Sequence, residues 1–153
     1  MAEAPTEVFF YHLERHSLER VLPSLLERTL ERGWKAIVQV GSAERLGALD
    51  TYLWTYREDS FLPHGTAKDG PASLQRVLLT TGEDNPNGAA IRFLVDGATI
   101  GRFGGYVRVV VIFDGADGSA VEAARSQWKA ARTEGCAVTY WQQTDAGRWE
   151  KRA

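Results

Sequence analysis

Short apolar, β-branched runs alternate with amphipathic helical stretches along this chain, and that alternation limits the fold more than any other feature. The run Val8-Phe9-Phe10-Tyr11-His12-Leu13 is compact, apolar and aromatic, the signature of a buried strand. Further strands are predicted over 34–40, 76–81, 90–95, 106–113 and 136–143, with a short edge strand at 148–150. Between them lie helical patterns. Leu18, Val21, Leu22, Leu25, Leu26 and Leu30 recur at three and four spacing, while Glu19, Glu27, Arg28, Glu31 and Arg32 take the opposite face. Ser17 is the expected cap and Gly33 the expected stop. Pro23 conflicts with this helix, so a kink or a later start is expected. A shorter helix is expected from Gly41-Ser42 to about residue 54. Ser119-Ala120-Val121-Glu122 reads as a capping box that opens a last helix, which Gly135 stops. Strands alternating with helices imply an α/β fold. The expectation is a single domain over 1–153 with a largely parallel (mixed) sheet flanked by helices. It is Rossmann-like without a nucleotide fingerprint. Residues 1–6 are expected to be a flexible N-terminus and 144–153 a peripheral tail.

Composition narrows the function classes. Eighteen Lys+Arg against twenty Asp+Glu give a net charge of -2, unlike a generic nucleic-acid coat. The single cysteine, Cys136, excludes a disulfide within the chain and a Cys-rich zinc site. The acidic start lacks an apolar leader core, and no apolar run reaches the ~18 residues of a membrane span. A cytoplasmic protein without membrane contact is the expectation.

Most enzyme motifs are missing. The turn Leu13-Glu14-Arg15-His16-Ser17 has no glycine and Val40-Gly41-Ser42-Ala43-Glu44 has one, so neither forms a phosphate cradle. Gly101-Arg102-Phe103-Gly104-Gly105 precedes a strand, the wrong context for that role. His12, His16 and His64 lack metal-ligand spacing and read as surface or loop histidines. Asp59-Ser60 beside His64 has no nucleophile elbow around it. Asp114 reads as a turn aspartate before Gly115. No catalytic residue, cofactor or metal is expected.

One arrangement carries chemistry. Arg125, Trp128, Lys129 and Arg132 sit at offsets zero, three, four and seven, on one helical stripe. The alanines of the same helix suit close packing on a sheet. The stripe is either an anion site with an apolar floor or a solvated face with one partly buried tryptophan. Trp54 and Phe61 add large aromatics. Placed beside the stripe, they would complete a basic rim around an aromatic pocket, suited to an acidic-apolar peptide end.

With Leu49-Asp50-Thr51-Tyr52-Leu53-Trp54, Asp59-Ser60-Phe61-Leu62-Pro63-His64, Val111-Ile112-Phe113-Asp114 and the helix 125–132, the opening strand resembles the chi subunit of bacterial DNA polymerase III holoenzyme, over about residues 7–143. The resemblance implies a non-catalytic adaptor subunit in DNA replication. It implies ties to the clamp loader through a small partner, psi, and docking of the acidic-apolar C-terminal tail of single-stranded DNA-binding protein. DNA would be reached only indirectly. By motif match, Trp54, Phe61, Arg125, Trp128 and Lys129 fall in the tail site. Val121 stands where the family can carry a lysine, and Asp114 where it can carry a small apolar residue. Both departures imply weaker tail binding. The rival expectation is a small nucleotide-binding enzyme of doubly wound α/β fold, motivated by the alternation alone. A third reading, direct single-strand DNA binding through Trp128 and the arginines, runs against the acidic net charge.

Overall fold

The computed structural model describes residues 5–14, 16–55, 64–66, 69–144, 146 and 148–152. Phe61 and the rest of 56–63 lie outside them. The described elements are β1 (Glu7–Leu13), α1 (Leu18–Glu31), β2 (Ala36–Val40), α2 (Ala43–Thr55), β3 (Val77–Thr80), β4 (Ile91–Val95), β5 (Arg108–Asp114), α3 (Gly118–Glu134), β6 (Ala137–Gln143) and β7 (Trp149–Lys151). They form one seven-stranded sheet in the order β3-β2-β4-β5-β1-β6-β7. Every pairing is parallel except the last, where β7 runs antiparallel to β6.

The central strands explain their own near-continuous apolar sequence. β2 and β4 are buried at every residue because both faces of the sheet are covered. Parallel strands need right-handed crossovers. β1 to β2 and β2 to β3 step one way across the sheet, and β5 to β6 steps the other way. Handedness therefore sends α1 and α2 to one face and α3 to the opposite face. The two cores reflect this. Leu22, Leu26, Leu49 and Leu53 pack with Val38, Val40 and Phe93 on the first face. Ala124 and Ala131 pack with Val8, Phe10, Val109 and Val111 on the second. Each fully buried leucine contributes about 1.5–3 kcal/mol over the exposed state.

Local details correct three expectations. α1 begins at Leu18, not later, and Pro23 lies buried inside it. Burial of Leu18, Val21, Leu22 and the proline ring offsets the hydrogen bond that the ring nitrogen cannot donate. Ser17 takes the N-cap position, but its hydroxyl makes no cap bond; its carbonyl accepts from Arg20 and Val21 instead. The cap of α3 is Asp117, whose carboxylate accepts from the amides of Ser119 and Ala120. Ser119 itself is already inside the helix, so the cap lies two residues earlier than the capping box predicts. Gly135 closes α3 at φ +89° in the left-handed region, as its sequence position predicts. Among the described residues, no helix is long and apolar enough to cross a membrane.

Candidate functional site

The sheet is doubly wound, so a crevice opens outside the carboxyl ends of β1 and β5, where the chain leaves to opposite faces. A cavity of about 780 Å³ fills that place. Its floor is apolar, with Leu13, Leu94, Val111 and Phe113. Its walls carry Glu14, Glu19, Asp96, Asp114 and Asp117 against Arg45 and His16. Part of this charge is internally engaged. Arg45 bridges Glu19 at 2.6 Å and Asp96 at 3.3 Å. Asp114 accepts from the Ala116 amide, the turn role that its sequence context predicts. Asp117 occupies the amides at the start of α3, where a phosphate would otherwise sit. A nucleotide placed here would bring its phosphates among carboxylates, and the nucleotide-enzyme alternative is not favoured.

The predicted basic stripe lies on α3, across the second face. Ala124, Gln127 and Ala131 turn inward, and Arg125, Lys129 and Arg132 are exposed. Gln127 is buried but satisfied, because its side-chain oxygen accepts from the Ile100 amide. Glu134 accepts from the amides of Phe103 and Gly104, so two side chains of α3 hold the connection 100–104. Trp128 is half-buried at the edge of the core. Its ring centroid stands 5.4 Å from Phe10 and 5.8 Å from Tyr140. It is therefore neither a free surface ring nor buried under the sheet, but a floor beside three cations.

Tyr140 belongs to this surface and was not singled out from sequence. It stacks near Phe10 at 6.5 Å and meets Phe113 edge-on at 6.1 Å. Burial pushes its phenol above the ordinary value, and the nearby Arg125 charge works in the opposite direction. Its hydroxyl hydrogen-bonds His12 Nδ1, and His12 Nε2 lies 2.8 Å from Glu14 without hydrogen-bond alignment. The signal for Tyr140 was alternation, since it follows Val138 by two residues on the same face of β6.

His16 lies partly exposed in the turn between β1 and α1, as expected, whereas His12 and His64 are not surface side chains. His12 lies within β1 with a side chain only 14% exposed. The side chain of His64 is fully buried, with Nε2 3.2 Å from the Asp50 carboxylate and 3.3 Å from its carbonyl. The Trp54 ring lies 4.3 Å from it, with Trp54 itself 48% exposed.

The expected meeting of Trp54 with the basic stripe does not occur. Trp54 lies in the last turn of α2, a helix that packs on the first face through Leu49 and Leu53, and Gly65 bridges to Leu78 of β3. Trp128 rides α3 on the second face. Crossover handedness separates them, a constraint that helix spacing does not carry. Phe61 lies outside the described residues. No cluster of three or more metal-ligating side chains occurs among the described residues.

These features define an α/β protein of the doubly wound class, with an acidic crevice and a basic, aromatic-floored helix face. The chain belongs to the DNA polymerase III chi subunit (HolC) family, whose model matches residues 6–139. It is also 25% identical over 92 residues to the probable DNA polymerase III subunit chi of Rickettsia prowazekii (strain Madrid E). That match spans 60% of this chain and 56% of the relative's length.

Proposed function

We propose that this protein is a non-catalytic adaptor of the replicative polymerase, linking the clamp loader to the acidic-apolar C-terminal tail of single-stranded DNA-binding protein. The observation that carries the reading is the exposed trio Arg125, Lys129 and Arg132 around the half-buried Trp128 and Tyr140. Guanidinium and ammonium groups take carboxylates, and rings at their feet take an apolar terminal side chain. The cations follow the middle of α3 toward its negative end, where the helix dipole favours them. Family membership supports the replicative setting. The polymerase and ATPase chemistry belongs to other subunits, and psi or the clamp loader itself is the second partner. Trp54 stands outside the tail site, which consists of Arg125, Trp128, Lys129, Arg132 and Tyr140. Val121 stands where the family can carry a lysine and Asp114 where it can carry a small apolar residue, so moderate affinity is expected.

Titration with a peptide of several acidic residues followed by Pro-Phe tests the reading. Saturable binding that weakens with added salt is the expected result. No saturation at low salt up to roughly millimolar peptide, about -4 kcal/mol, overturns it.

A further inference from the structure

A second concentration of arginine and aromatic side chains lies on the other face of the sheet, at the opposite edge from the crevice. α1 runs antiparallel to the strands, so its last turn ends over their amino ends. There Arg28 and Arg32 approach Phe9 and Tyr11 of β1, Arg108 at the start of β5, and Trp34 before β2. Together they line a pocket of about 230 Å³. Arg32 lies over the Trp34 ring at 5.2 Å. Arg108 lies over the Phe9 ring at 4.4 Å and near Trp34 at 5.6 Å. The Tyr11 phenol is pushed up by burial and drawn back by the charges of Arg108 and Arg28, so both guanidiniums act at the same point. Glu7 holds Arg108 at 2.9 Å from the rim. Among the described residues no carboxylate pairs with Arg28 or Arg32, and both are exposed.

We propose that this pocket is a binding site for the phosphate backbone of single-stranded DNA, separate from the tail site. The two exposed guanidiniums of Arg28 and Arg32 match phosphate oxygens through paired donors, with Arg108, already paired with Glu7, beside them. Phosphate is favoured over carboxylate by the stack already in place. A guanidinium held over an indole and open to solvent is a platform on which a base can lie, which a carboxylate partner does not use. The net charge of -2 is small and the acidic crevice lies at the far edge of the sheet, so neither opposes a local contact. The contact is expected to be weak, sequence-independent and strongly salt-dependent. Its place on the first face leaves α3 free, so one molecule could hold a protein tail and a strand of DNA together.

Anisotropy of a labelled oligothymidylate of about twelve nucleotides, with the full chain in roughly 20 mM salt, tests this. The expected result is saturable binding whose log K falls with log salt at a slope of about -1.4, as two phosphate contacts on a single strand require. Arg28→Glu with Arg32→Glu, two exposed positions, should lower affinity more than tenfold with an unchanged circular-dichroism spectrum. Arg125→Glu with Lys129→Glu should change it less than twofold while abolishing tail-peptide binding, which separates this site from the tail site. Absence of saturable binding, equal binding by the Arg28/Arg32 variant, or equal competition by polyaspartate of the same length would each overturn the proposal. The last outcome would mark a carboxylate site.

Discussion

Arg92 is the largest fully buried side chain, and its guanidinium meets no carboxylate among the described residues. Dipoles hold it instead. Both Nε and Nη2 donate to Gln39 Oε1, at 3.0 and 2.6 Å, Nη1 donates to the Asp84 carbonyl and Tyr106 hydroxyl, and Nη2 also reaches the Gly82 carbonyl. One side chain thus pins the loop after β3 to the middle of the sheet. Arg92→Met removes the charge but leaves two carbonyls and an amide oxygen without donors, and should cost about 3–5 kcal/mol. Urea denaturation would show it as a lower midpoint at unchanged slope. Lys129 belongs to the opposite class. It is exposed, so Lys129→Glu should leave the melting temperature nearly unchanged. In the proposed site the same change should weaken the tail peptide by about 1.5–3 kcal/mol, more at low salt than at high, readable by calorimetric titration. Equal tail affinity would remove Lys129 from the site. The Arg92 role was not legible in the run Ile91-Arg92-Phe93, where a charge in a strand pattern reads as solvent-facing; only the acceptors around it make burial tolerable.

At the scale of elements, the caps and ties of the helices separate what pattern predicts from what geometry selects. Asp117→Ala should cost about 1 kcal/mol by removing the acceptor for two amides, and Ser119→Ala should stay within about 0.5 kcal/mol because Ser119 is already helical. Thermal unfolding of the two variants side by side distinguishes them. The motif Ser-x-x-Glu was visible in sequence, but Asp117 two residues earlier caps the amides of Ser119 and Ala120, so the helix has already begun when it reaches Ser119. α1 and α2 are tied by Glu19 and Arg45. Burial pushes the Glu19 carboxyl up, but the hydrogen bond and charge of Arg45, with a backbone bond, outweigh it and leave the group below its ordinary value. A depressed carboxyl stabilises the fold above its unfolded value of 4.5 and loses that contribution as pH falls through the folded value. Arg45→Met should therefore lower the melting temperature at pH 7, by the equivalent of about 0.5 kcal/mol, and much less near pH 3. An equal loss at both values would show that packing, not charge, is what Arg45 supplies.

For the whole molecule, the doubly wound sheet sorts its surfaces by face and by edge. The acidic crevice lies at the carboxyl ends of the strands, the basic stripe of α3 on one face, and Trp54 with His64 on the other, near the β3 edge. Trp54→Ala should accordingly leave tail-peptide affinity within about twofold, a difference near 0.4 kcal/mol, whereas Trp128→Ala should weaken it and also destabilise the core by about 2–4 kcal/mol. A clear loss of tail affinity in Trp54→Ala, measured by the same titration, would place the tail on the first face. The elements themselves were legible in the sequence. Apolar runs and three-four spacing located all seven strands and three helices to within about two residues, because burial on both faces of a sheet and on one face of a helix writes a local period. The cations of α3 were legible for the same reason, since offsets of three, four and seven share a helix face whatever the fold. Which residues from distant segments come together was not. Tyr140 joins Trp128, and Trp54 does not, because strand order and the hand of each crossover decide on which side of the sheet a helix rests. Those are properties of the closed chain: the alternating apolar sequence is compatible with several strand orders, and only the tertiary packing, by burying both faces of β2 and β4 at once, selects one.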